Sequence, residues 1–321
     1  MTMALRTPTL ALAALSLLVA VTVAPRSADA ELPTDPAMIR FEGGGWGHGV
    51  GMSQYGAYGR ASDGHSRSEI LSFYYPGSDL TVVEMPDDVR VHLFSAEGAT
   101  FETSGAVDLV DASDEVFATV PGPTTLTIDR TSGGFTITTP DAVNHCLQPA
   151  GEDAVDHCAE GPIRVPVVEG EPIHTDAIEQ ISIGTPGKEY QWGTLVISER
   201  FSTADTLWVV LEGLTMDKYL YGLAEVPASW PAATLESQAI AGRTYAYERI
   251  TSRRASSSWD LPWDLYSTVN DQVYHGYENE TGAFAPNWQA AVDGTLGEVL
   301  LHQGSPVAAF YSSSNGGHSE D

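Results

Sequence analysis

The chain has 321 residues, of which 42% are hydrophobic, enough apolar material for one large core or two modest ones, so wholesale disorder is excluded. Acidic residues outnumber basic ones 43 to 15, and a formal charge of -28 repels polyphosphate backbones, which excludes nucleic acid as a partner. Solubility in an exterior medium accounts for the charge, and charge alone names no substrate.

In chain order, Arg6, an apolar run from Leu10 to Val23 and the small-x-small site Ala28-Asp29-Ala30 form a secretory signal over residues 1–30. The run is shorter than the roughly 20 apolar residues that span a bilayer, and no later segment spans one once the signal is removed. A polar linker, Glu31 to Pro36, leads into a glycine-rich segment, Phe41 to Gly59. Ser68 to Tyr75 then reads as a short helix ending before Pro76-Gly77. From Val89 to Leu211 alternating stretches such as Val89-Arg90-Val91-His92-Leu93 and Thr125-Leu126-Thr127-Ile128 predict a β-rich region. Within it, the polar stretch Asn144 to Glu160 reads as a surface insertion. Its two cysteines, Cys146 and Cys158, are expected to form a disulfide in an oxidising exterior, although the adjacent His145 and His157 also fit a zinc site.

Two helices follow. Thr215 caps the first, whose Met216, Tyr219, Leu220 and Leu223 recur on one face and which Pro227 stops, placing Glu225 at the helix exit. The second starts at Trp230-Pro231 and carries a small-residue stripe, Leu235, Ala239, Gly242 and Ala246, suited to close packing. Strands are expected again at Gln272–Gly276, Gly297–His302 and Val307–Ser312. The fold class is therefore α+β: a β-rich mixed domain with a small helical catalytic segment.

Several chemistries fail on spacing. Glycines 45, 47, 49 and 51 alternate strictly, which gives no G-x-G-x-x-G register, and no P-loop lysine follows. Gly51-Met52-Ser53-Gln54-Tyr55-Gly56 is one residue too long for a G-x-S-x-G elbow, and the nine histidines form no H-E-x-x-H. Gly43 to Ala57 nevertheless holds more glycine than stability favours. Either the segment is a tight turn packed on Trp46 and Tyr55, or its backbone brings His48, Ser53 and Gln54 close to a polar ligand.

That segment and the Glu69-Ile70-Leu71-Ser72-Phe73-Tyr74-Tyr75-Pro76-Gly77 that trails it resemble the G-x-G-H-G-V-G-M-S-Q-x-G-A module of the SpoIID/LytB family. The resemblance returns in Tyr219 to Pro227, in Trp230-Pro231 and in Gln238-Ala239-Ile240-Ala241-Gly242-Arg243-Thr244-Tyr245-Ala246. It continues through Asp271 to Tyr277, Thr295 to Leu300 and Phe310 to Glu320. Three departures stand out: the module precedes the catalytic segment, as in a circular permutation; the chain stops at Asp321, where the family normally continues; and Val226 replaces a methionine. A permuted order requires ends that meet at the surface. The segments expected are residues 31–82 for the glycine-histidine module, 83–210 for the β-rich region and 211–321 for the catalytic core.

The resemblance implies an exported lytic transglycosylase that cleaves peptidoglycan glycan strands, with Glu225 as the single acid/base and no cofactor or metal. A raised Glu225 pKa is expected from the helix C-terminus and from apolar Leu223, Val226, Pro227 and Trp230. His48, Ser53, Gln54, Gln238, Arg243 and Tyr245 are expected to line the glycan cleft, shaped further by Tyr311, Ser312, Ser313, Ser314 and Glu320. For Arg243 a structural ion pair is an equal expectation. The alternatives are a non-catalytic wall-binding module that enhances a partner amidase, and a structural envelope component.

Overall fold

A computed structural model describes residues 43–131, 134–140, 162–180, 184, 186–199 and 206–318, all within one compact unit, Gly43–Asp321. The expected signal segment, Cys146, Cys158 and Glu320 lie outside the described residues. The fold is α+β and rich in strands.

The chain enters through a two-residue strand β1 (Met52–Ser53), whose last residue caps helix α1 (Gln54–Ser62): the Ser53 hydroxyl accepts from Gly56 N–H at 3.0 Å. Helix α2 (Arg67–Tyr74) starts on a capping box, Ser66 and Glu69 exchanging side-chain to backbone hydrogen bonds. Strand β2 (Asp79–Val82) follows.

The β-rich region begins with β3 (Val89–Thr103), then β4 (Val107–Val110), β5 (Val116–Val120), β6 (Thr124–Thr131), β7 (Gly134–Thr138), β8 (Ile163–Pro166), β9 (Ile173–Gln180), β10 (Lys188–Tyr190), β11 (Thr194–Glu199) and β12 (Leu207–Leu214). Strand β3 organises it. Its first half pairs antiparallel with β12 and its second half with both β6 and β9, so one strand serves two groups of neighbours. Such a strand is covered on both faces, which explains a nearly continuous buried run rather than alternation. The principal core fills the space behind it with Val91, Leu93, Phe101, Ile128, Leu195 and Leu211 among others.

Helix α3 (Met216–Tyr221) starts at the expected cap, Thr215 Oγ1 accepting from Lys218 N–H at 3.4 Å. It ends four residues before Glu225, which is shorter than the sequence periodicity suggests. Leu223 instead forms an antiparallel bridge with Tyr274, so Glu225 lies on a bend beyond that bridge rather than on a helix end. Helix α4 (Ala232–Ala255) begins at the expected proline and is buried all round between Ser237 and Ala246. A Cβ at Gly242 would lie 3.3 Å from Gln272 Nε2, which is why the small stripe is needed there.

The remaining elements are β13 (Leu265–Tyr266), parallel to β3, then α5 (Glu278–Thr281), α6 (Ala285–Asp293), β14 (Glu298–His302), β15 (Ser305–Pro306) and β16 (Tyr311–Ser312). The last expected strand is thus confined to two residues. Gln272–Gly276 is not a strand, because its backbone N–H groups are used elsewhere: Tyr274 donates to Ser267 O and His275 to Gly222 O. Asp264, from the β13 approach, anchors Arg90 and Arg254. Burial pushes its carboxyl up, but the hydrogen bonds from Arg254 and Arg90 outweigh that and hold it below the usual carboxylate range.

The two ends of the described chain meet, as a permuted order requires. Strand β1 pairs parallel with β16, Trp46 bridges Ser314, and Gly44 packs on Gly316. Strand β2 pairs with β14, and Met52, Ala57, Ile70 and Leu71 share a second core with Ile240, Ala241 and Leu300.

The alternating glycines now have a cause. Gly51 has φ +68°, and a Cβ there would sit 2.0 Å from Phe310 O. Gly49 has φ +74° but faces open space. Gly51→Ala is therefore expected to cost about 4 kcal/mol through strain plus overpacking, and Gly49→Ala about 1 kcal/mol through strain alone. Urea denaturation of the two variants against the parent checks this ordering.

Candidate functional site

Glu225 is partly buried and held at three points. Its Oε1 accepts from Val273 N–H at 2.7 Å, its carboxyl is hydrogen-bonded by Tyr311, and its backbone carbonyl accepts from Gln54 Nε2 at 3.2 Å. The last contact joins the glycine-histidine module to the Glu225 segment across 171 positions. The Gln54 amide also donates to Gln238 Oε1 at 3.4 Å.

Behind this shell Gln272 fixes the direction of the bonds. Its Oε1 accepts from the Tyr219 hydroxyl at 3.0 Å, while its Nε2 donates to Gly242 O at 3.2 Å and to the Tyr311 hydroxyl oxygen at 2.7 Å. With an oxygen lone pair of Tyr311 thus occupied, its hydroxyl proton is free to point at Glu225. Burial drives the Tyr311 pKa well above the ordinary phenol value, so Tyr311 keeps that proton.

Glu225 titrates above the ordinary carboxylate value. Burial is the largest cause, and the hydrogen bonds from Val273 and Tyr311 oppose it. The helix C-terminus invoked from sequence makes no contribution, because α3 has already ended. No other carboxylate is among the groups that shift Glu225. The site therefore offers one carboxyl biased toward its neutral, proton-donating form, beside a phenol that donates to the ionised form.

The other residues expected in the cleft divide into four groups. Gln54, Gln238 and Tyr311 gather round Glu225, with Gln238 buried at 1% exposure. His48 is exposed, its Nδ1 accepts from Val50 N–H at 3.0 Å, and its ring meets the edge of Phe310 at 5.9 Å. It touches Phe310, next to Tyr311, rather than Glu225 itself.

Ser53, Ser312, Ser313 and Ser314 hold the module in place. Ser53 is a buried helix cap opposite Ser312 in the β1–β16 ladder, Ser313 O accepts from Tyr55 N–H at 3.0 Å, and Ser314 O accepts from Trp46 N–H at 2.6 Å. Ser313 and Ser314 do this through their backbone carbonyls, whereas Ser53 does it through its hydroxyl.

Arg243 and Tyr245 also depart from expectation. Arg243 is 0% exposed and donates to Thr295 Oγ1, Glu298 O and Val292 O at 3.1–3.3 Å, with Asp217 at 3.6 Å. A glycan cannot reach it, and the structural alternative holds. Tyr245 is 7% exposed, its hydroxyl donating to Asp271 Oδ1 at 3.1 Å, and its ring lies at the edge of Phe310.

Gln272 and Val273 were missed by sequence reasoning. A buried glutamine within a run read as a strand was the available signal for the first. The second acts through its backbone N–H, which no side-chain pattern reveals. On the solvent side, Tyr55 and Tyr58 each stand 5.1 Å from Trp230, forming a partly exposed aromatic surface that adjoins Gln54 and the Glu225 loop.

Residues 204–302 match the family model described as stage II sporulation protein, SpoIID. A 120-residue stretch is 35% identical to an uncharacterized protein of Brachyspira hyodysenteriae, covering 36% of this chain and 30% of that one. A 47-residue stretch is 57% identical to an amidase enhancer of Bacillus subtilis, covering 15% and 7% of the two chains. A 56-residue stretch is 46% identical to stage II sporulation protein D of Bacillus amyloliquefaciens, covering 17% and 16%. The matched stretches thus span less than a third of these relatives. No solved structure matches the chain.

Proposed function

We propose that the chain, which matches the SpoIID family model over residues 204–302, is an exported lytic transglycosylase acting on peptidoglycan glycan strands, with Glu225 as acid and base. The observation that carries this reading is a carboxyl raised by burial and hydrogen-bonded by Val273 N–H and Tyr311, on a residue whose backbone carbonyl is held by Gln54 of the module. Ordinary glycosidases pair two carboxyl groups across the scissile bond. Here a single group suffices if the muramic 6-hydroxyl is the nucleophile.

Glu225 then protonates the leaving glycosidic oxygen as that bond breaks, and the 6-hydroxyl oxygen bonds to the anomeric carbon. The Glu225 carboxylate collects the hydroxyl proton, so no water is consumed and a 1,6-anhydro end results. Val273 N–H and the Tyr311 hydroxyl stabilise the carboxylate between the two transfers. Tyr55, Tyr58 and Trp230 supply aromatic faces for sugar rings beside it.

Incubation with purified peptidoglycan, with and without prior removal of stem peptides, followed by mass spectrometry for anhydro-muramyl ends tests the reaction. Strand binding without such products would leave the second reading, a wall module serving an amidase, which the amidase-enhancer relative favours.

Tyr311→Phe gives a signed prediction. It removes a hydrogen bond that lowers the Glu225 pKa, so that pKa climbs further. The descending limb of the pH–rate profile should move to higher pH while the maximal rate falls about tenfold.

A further inference from the structure

Helix α1 has a second face besides the one that carries Gln54. Gln54 looks toward Glu225, whereas Gly56 and Arg60 look into a pocket of about 760 Å³ also lined by Phe73, Tyr74, His302 and His318. The wall is built for closeness: a Cβ at Gly56 would fall 1.9 Å from the Tyr74 hydroxyl, so only glycine admits that ring.

In a chain with 43 acidic residues, this lining contains an arginine and two histidines and no Asp or Glu. The Arg60 guanidinium lies 4.1 Å from the centre of the Phe73 ring, and its Nε is enclosed without a hydrogen-bond partner. Arg60 makes no ion pair among the described residues. The carboxylate that feels its charge, Glu69, is already engaged by Ser66, whose N–H and hydroxyl both donate to it at 2.8 Å. His302 is oriented by its Nδ1, which donates to Gly77 O at 2.9 Å. Phe73 itself is 58% exposed, an open apolar surface beside a cation with donors to spare.

An apolar wall with a planar cationic fork at one end suits a small organic ligand that ends in a carboxylate. We propose that this pocket binds the free carboxylate of a short peptide; if the glycan reading above holds, that peptide is the stem carried by the strand. One helix would then read both parts of the polymer, sugar through Gln54 and peptide through Arg60.

Calorimetric titration of the protein with a synthetic Ala-D-Glu-Lys-D-Ala-D-Ala peptide, as free acid and as C-terminal amide, tests this. A charge-assisted bidentate contact predicts that the acid binds at least about tenfold tighter than the amide. Arg60→Gln should erase that difference, and Phe73→Ala, at an exposed position, should weaken both peptides. Glu225→Gln should change neither. An acid–amide difference that survives in Arg60→Gln, no saturable binding, or equal competition by inorganic phosphate would overturn the proposal. Peptide binding without anhydro products would sink only the catalytic reading, and products without peptide binding would sink only the pocket.

Discussion

Glu225→Gln is expected to reduce anhydro-product formation by about 10²–10⁴-fold while the protein stays folded. Glutamine keeps an oxygen for Val273 N–H and nearly the same volume, so the local hydrogen bonding survives and the transferable proton does not. The parent's rate should fall as pH rises through the raised Glu225 pKa, because the acid form is lost. Stability follows the same direction. A carboxyl with a higher pKa in the folded than in the unfolded state favours folding most below its unfolded value, and that contribution is lost as pH rises through the folded value. The variant lacks this titration, so at neutral pH it should be no less stable than the parent. Activity loss accompanied by a lower melting temperature would instead point to a structural glutamate.

Arg243→Met is the second large effect, expected in stability rather than chemistry. The guanidinium is fully enclosed and ties α4 to the α6–β14 turn through Val292 O, Thr295 Oγ1 and Glu298 O. Methionine fills much of the volume and satisfies none of these acceptors. The Asp217 partner is 31% exposed, so its charge is screened and adds little; the stranded carbonyls dominate. A loss of about 3–5 kcal/mol in urea denaturation is expected. Glycan affinity of the remaining folded protein should be unchanged. A stable variant with weakened glycan binding would return Arg243 to the cleft.

Local punctuation was readable in advance, and long-range use of backbone groups was not. Thr215 and Pro231 mark their helices because caps and first-turn prolines act within a few residues. Val89 onward is recognisably β because alternation and branching are local too. The end of α3 was misjudged because Leu223 keeps the helical spacing of buried positions, yet its backbone is claimed by Tyr274. The Gln272–Gly276 stretch looked like a strand because only the folded chain shows its N–H groups committed to Glu225, Ser267 O and Gly222 O. Ser53 and Arg243 illustrate the same limit. A hydroxyl or a guanidinium looks the same in sequence whether it faces ligand or caps a neighbour, and burial decides which. The glycine periodicity was visible, but its cause, contact with Phe310–Ser314, needs the opposite end of the chain.

The short ladder between Met52–Ser53 and Tyr311–Ser312 also sets when the site comes into being. Gln54 and Tyr311 reach Glu225 from segments far apart in sequence, so its surroundings are incomplete until the later segment has closed onto the earlier one. Such distant closure is slow compared with local helix formation. A nascent chain that has not yet emerged past Tyr311 would therefore hold Glu225 without the Tyr311 hydrogen bond or the β1–β16 ladder.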